Sequence, residues 1–228
     1  GEITIPSTVT SFGYSVFNGC ISLKKVTFNF PMESIHESTF SNCSSLEHFE
    51  IPSYVTKIEC NAFIGCSSLK QITIPPSVTS IDDYAFSGCS SLKQIEIPSS
   101  VSLIGSYAFD GCSSLIEVII PSSVTSIEPF TFNECTSLKK IEIPSSVTSI
   151  KMFAFSKCTS FVKFTVPSSI TSIGESVFNE CSSLSQVTIL ASIDKLENGT
   201  FKDCTALKEI EIPSTVISLE KEVFSGCS

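Results

Sequence analysis

The sequence predicts an α/β solenoid of ten stacked 23-residue units, a horseshoe or gently curved right-handed superhelix. A parallel sheet covers one face, and short turns, 3₁₀ or helical, cover the other. Three observations carry this reading. Phe recurs at 17, 40, 63, 86, 109, 132, 155, 178, 201 and 224 without a slip. Cys follows three positions later in every unit, from 20 to 227. The string IEIPSSVTSI at 141–150 repeats almost unchanged as VIIPSSVTSI at 118–127.

Within a unit, side-chain pattern sets the order of elements. Take the unit from Leu138 to Phe155. Ile141 and Ile143 alternate with Lys140 and Glu142, the period-two pattern of a short half-buried strand. Pro144 has no N–H to donate and ends the ladder. Val147 and Ile150 then point inward from a short extended or turn segment. Ile150, Ala154 and Cys158 fall at i, i+4 and i+8, which predicts one short helical turn. Gly at 19, 65, 88, 111 and 226 fits a left-handed residue closing that turn. One unit cannot cover its own apolar face, so stacking in register buries Leu on Leu, Ile on Ile and Phe on Phe. Strands about 4.8 Å apart then form one long sheet of roughly 45 Å.

Composition excludes several classes. The 228 residues are 42% hydrophobic, enough for a large core. The net charge is −9 and the 14 Lys and Arg never run three together, so neither nucleic acid nor an anionic membrane is an expected partner. No apolar run approaches the roughly eighteen residues of a membrane-spanning helix. No leader pattern of basic then apolar residues is present. The period runs uninterrupted, so 1–228 reads as a single domain. The chain opens on EITIP and closes on FSGCS without polar capping units, which predicts a piece of a longer chain or self-association through uncapped ends.

The consensus LxxIxIPxxVxxIxxxAFxxC, carried through the whole chain, resembles the leucine-rich repeats of BspA-like surface antigens of bacteria and mucosal protist parasites. That resemblance implies a leucine-rich repeat solenoid serving as a non-catalytic protein-binding or adhesion module at the cell surface, with a host or matrix protein as partner. Common leucine-rich repeats tie the turn after the strand with an Asn column. Here the matching column is hydroxylic, with Thr8, Ser77, Ser100, Ser123, Ser146, Ser169, Ser192 and Thr215 expected to bond neighbouring backbone. Pro31 and Tyr54 depart from it, which predicts local irregularity in the second and third units.

The evenly spaced Cys lack the close pairs of a zinc site. Stacked equivalents keep their Cβ atoms about 5 Å apart, beyond the roughly 3.5–4.5 Å of a disulfide. They read as a ladder of buried free thiols, with a disulfide framework as the alternative. Cys60 stands off the ladder and is expected to be exposed and the first thiol to oxidise. His36 and His48 flank Cys43, but register points Cys43 inward and His48 outward, which speaks against a nucleophile–base pair. No phosphate-binding loop or nucleophile elbow is present, and no catalytic residue, cofactor or metal is expected.

Two surface features are candidate sites. On the strand face, expected to be concave, Ile116 and Ile119 stand where neighbouring units carry charge, beside Glu96, Lys139 and Glu142. On the turn face, Tyr84, Tyr107, Phe130 and Phe153 fill one column in four successive units, either as a structural stack or as an apolar patch for a partner. Asn42-Cys-Ser and Asn198-Gly-Thr permit glycosylation of a secreted protein. Two other readings stay open. Reduced thiols would suit an intracellular scaffold, and uniform repeats would suit a spacer without a specific site.

Overall fold

A computed structural model describes residues 1–227 of the chain. The apolar/polar alternation forms parallel strands whose pairing advances by one 23-residue unit at each rung, as in His48↔Gln71 and Lys163↔Gln186. Inward residues such as Phe49 and Ile72 are buried, and outward ones such as His48 and Thr73 are exposed. The ladder is not the one long sheet that the sequence suggests. It divides into groups such as Glu2–Ile5 with Lys25–Phe28, and Lys163–Val166 with Gln186–Ile189 and Glu209–Glu211; Gln94 joins Glu117 only through a single bridge. Proline explains the brevity of the strands, because each Pro removes the donor that the next rung would use. The two units without it confirm this. Asn29 N donates to Ile5 O, and Leu190 N to Val166 O, both at 3.0 Å.

A second parallel ladder follows the proline. It is made of two-residue strands, among them Ser80–Ile81, Leu103–Ile104, Ser126–Ile127 and Ser149–Ile150, and it again pairs unit to unit. Between the ladders, the hydroxyl column behaves as expected at Ser77, Ser100 and Ser146, which donate to Val55, Val78 and Val124 carbonyls at 2.6–2.7 Å. Tyr54 stands in for the missing hydroxyl and reaches Phe30 O at 2.7 Å. Ser169 differs, since its hydroxyl is buried without a partner among the described residues.

The turn face contains no helix among the described residues, which corrects the helical turn suggested by the spacing of Ile150, Ala154 and Cys158. The reason lies in the backbone donors. Tyr84, Phe86 and Gly88 N–H groups leave their own unit and bond Ser106, Ala108 and Asp110 carbonyls of the next at 2.7–2.9 Å. Only the alternate donors Ala85, Ser87 and Cys89 close local turns, at 3.1–3.3 Å. A helix would need every N–H within the segment. The alternation is set by two left-handed residues per unit, Tyr84 (φ 57°) and Gly88 (φ 71°) in this one. Gly is the unstrained choice at the second position.

Between the ladders and the turns runs one continuous core of Leu, Ile, Val, Ala, Phe and Cys columns. Its axis is the Phe column, whose consecutive rings from Phe17 to Phe224 stack at 5.2–5.9 Å with planes within 18°. Burial is complete at Phe109, whereas Phe224 is only partly buried. Phe109→Ala therefore opens a cavity against rings on both sides and should cost about 3–5 kcal/mol in urea denaturation. Phe224→Ala should cost clearly less, and equal costs would contradict this picture of the core.

Candidate functional site

On the strand face, Val118 turns inward and leaves Glu117 and Ile119 outward. Ile119 pairs with Glu142 across the next rung. Ile116 is held between Lys93 and Lys139, donating from its N to Lys93 O (3.1 Å) and accepting from Lys139 N (2.9 Å). Ile116 is 41% exposed and Ile119 57%. Glu96 and Ile116 line a shallow groove of about 530 Å³ together with Lys93 and Gln71; Ile119, Lys139 and Glu142 lie outside it. Two outward residues beyond the five candidates belong to this surface. Val162 continues the Ile116 column one unit beyond Lys139 and is 53% exposed. Lys140 bridges Glu142 (2.6 Å) and Glu117 (2.9 Å), and those hydrogen bonds, Glu142's first, raise its pKa. Such exposed pairs add little stability, but they order the charges around the two isoleucines.

On the turn face, the four aromatics stack face to face. Centroids are 4.5 Å apart for Tyr84–Tyr107, 4.4 Å for Tyr107–Phe130 and 4.7 Å for Phe130–Phe153, with planes within 7°. All four residues have φ of 55–58°, a region costly for large L side chains. Ring stacking, worth about 0.5–1.5 kcal/mol per pair, offsets that cost. The rings cover one another's faces and turn their edges to solvent.

The thiols are all free, and the Cys43-to-Cys204 ladder is buried. Each thiol from Cys43 to Cys227 on the ladder donates to the Phe carbonyl 26 residues earlier, at 3.0–3.2 Å. The sequence shows the column but not this bond, which stitches every unit to the one before. Burial pushes the pKa of Cys43 up to about 11 and that of Cys204 up to about 12, and raises those between them further still. Cys60 is half-buried rather than exposed, and burial raises its pKa too.

The histidines part as register requires. His48 is outward on a strand, while Cys43 is fully buried. His36 has partners that residue types alone do not reveal. Its Nδ1 lies 3.1 Å from Glu59 Oε1 and 2.9 Å from the Ser34 hydroxyl, which itself donates to Glu59 Oε1 at 2.6 Å. Glu59 holds the column of His36 one unit later, so the 23-residue offset is the signal that locates it. Ser34 and His36 converge on one carboxylate oxygen, and Ser34 is buried, so this is an inter-unit clamp and not a nucleophile aligned with a base. Burial works to raise the Glu59 pKa, but hydrogen bonds from Ser34, His36 and the Glu37 N–H hold it below the usual value. Among the described residues, no group of three or more His, Cys, Asp or Glu is placed to hold a metal ion, and no helix is long and apolar enough to cross a membrane.

Ladders of equivalent residues joined by short turns define a leucine-rich repeat solenoid, a fold whose repeats generally mediate protein interactions. The pattern of the BspA type leucine rich repeat region, six copies long, matches residues 1–116 and 103–228, and the chain belongs to that family. Among solved structures, it is similar to a leucine rich cell surface protein of Faecalibacterium prausnitzii A2-165, with TM-score 0.75 and 30% identity over 99% of this chain and 67% of that one. A leucine-rich repeat protein of Bacteroides ovatus aligns with TM-score 0.63 and 25% identity over 99% of this chain and 84% of that one. One from T. pallidum aligns with TM-score 0.63 and 28% identity over 80% and 77%. Comparison with curated proteins returned no match.

The buried thiols make stability depend on alkaline pH. Their folded pKa values lie above the free-thiol value of 9.0, so their contribution is fully present below pH 9 and is lost as pH rises beyond it. Each thiol then adds about 1.4 kcal/mol of destabilisation per pH unit. The urea midpoint should hold up to pH 9 and fall steeply between pH 9 and pH 11. At pH 8 a thiol-specific reagent should reach Cys20, Cys60 and Cys227 in the native protein and the remainder only after unfolding. A flat pH profile, or fast labelling of Cys112, would contradict the buried ladder.

Proposed function

We propose that the chain is a non-catalytic binding module of a cell-surface protein, which engages a host or matrix protein through the strand face around Glu96, Ile116, Ile119, Lys139 and Glu142. The observation that carries this reading is the exposure of Ile116 and Ile119 among charged neighbours that are themselves ordered by the Lys140 pairs. Exposed apolar side chains with a polar rim match the make-up of protein-binding surfaces. The likeness to a leucine rich cell surface protein supports the location. The free thiols, which alone favour an intracellular scaffold, are compatible with an oxidising exterior, because buried protonated thiols resist oxidation.

The test is a pull-down from host-cell surface and matrix preparations with the wild-type chain and with Ile116→Lys/Ile119→Lys. The double variant should fold normally, since both side chains face solvent, and should lose captured protein at least about tenfold. Equal capture by the two chains would remove the strand face from the proposal.

A further inference from the structure

The aromatic stack on the turn face ends abruptly. Phe153 stacks on Phe130 through one ring face, and the next two positions in its column are Ser176 and Gly199. Among the described residues, no ring covers the other face of Phe153. At about 4.8 Å per rung, the two small residues leave a gap of roughly 10 Å before Glu222, the next long side chain in the column. The result is a trough of about 560 Å³, with the half-buried Phe153 as its end wall and Ser176 and Gly199 as its floor.

The side walls are polar and carry a small excess of carboxylates, Glu180, Asp203 and Glu222 against Lys202 and Lys221. Asn198 stands on one flank, donating to Glu175 Oε1 and accepting from Lys221 N at 3.1 Å. Asn179, bonded to Glu180 at 3.1 Å, stands on the other flank, and Lys202 pairs with Glu222. The trough therefore combines one open aromatic face with amide, carboxylate and ammonium groups. A π-face favours the slightly positive C–H edges of a ligand, and the flanking groups both donate and accept hydrogen bonds. A pyranose ring has this complement, with an apolar C–H face and hydroxyls around its rim. An extended peptide fits less well, because the floor has no main-chain N–H to spare for a strand-like ladder. Ser176 N bonds Asn198 O, Gly199 N bonds Lys221 O, Asn179 N bonds Ser176 O and Lys202 N bonds Gly199 O.

We propose that this trough is a carbohydrate-binding subsite that takes one pyranose ring against the free face of Phe153. It is separate from the strand face, so either reading can fail without the other.

Saturation-transfer NMR on the full chain tests it, with methyl β-D-galactopyranoside and methyl β-D-glucopyranoside as probes and N-acetylprolinamide as a peptide-like control. At least one glycoside should receive transfer at its ring C–H protons, and the control should receive none. Ser176→Phe extends the stack over Phe153 in a conformation that Phe130 and Phe153 already adopt, so it should keep the fold and cut the signal at least tenfold. Phe153→Ser should do the same. Tyr84→Ser removes one terminal ring contact at the opposite end of the stack, and so matches the stability loss of Phe153→Ser, but it should leave the signal intact. No transfer to either glycoside, transfer that survives Ser176→Phe, or transfer to N-acetylprolinamide alone would each overturn the proposal.

Discussion

The stacking of identical side chains at a fixed 23-residue offset is the constraint on which the rest of the structure depends. The Phe column shows it best, with rings from Phe17 to Phe224 in unbroken contact. A flat ring packs best on another flat ring at the same height. Any insertion within a unit would therefore misalign the Phe, Leu and Cys columns together. This links the strictness of the period to packing energy, because burial is complete at interior positions such as Phe109 and falls off at the column ends, Phe17 and Phe224.

Backbone hydrogen bonding follows the same logic. The strand, the two-residue ladder and the turn each send donors to an adjacent unit, and the Cys thiols add a further bond to the preceding Phe carbonyl. Buried backbone groups are thereby satisfied in large part between units, while the alternate turn donors close within their own unit. Left-handed residues at positions such as Tyr84 and Gly88 make this possible by turning alternate N–H groups outward along the axis.

The buried columns are legible in the sequence because identity recurs at one interval, and the strand because Ile141 and Ile143 alternate with charge. The turn is misread because the spacing of Ile150, Ala154 and Cys158 is also helical, and spacing does not say where N–H groups point. The short ladder at Ser126–Ile127 is legible only as an extended segment, since two residues show no period. On the surface, Ile116 and Ile119 stand out as substitutions within a charged column. The His36–Glu59 clamp joins unlike residues in different units, and the trough beside Phe153 is defined by two missing rings, so both become visible only when columns are compared across units.

The central claim, that stability resides between units, is tested most directly by a series of chains shortened by whole 23-residue units and measured by urea denaturation. The account predicts that unfolding free energy rises by a near-constant increment with each added unit and that the shortest members do not fold. A chain of two or three units as stable as the full one would contradict it.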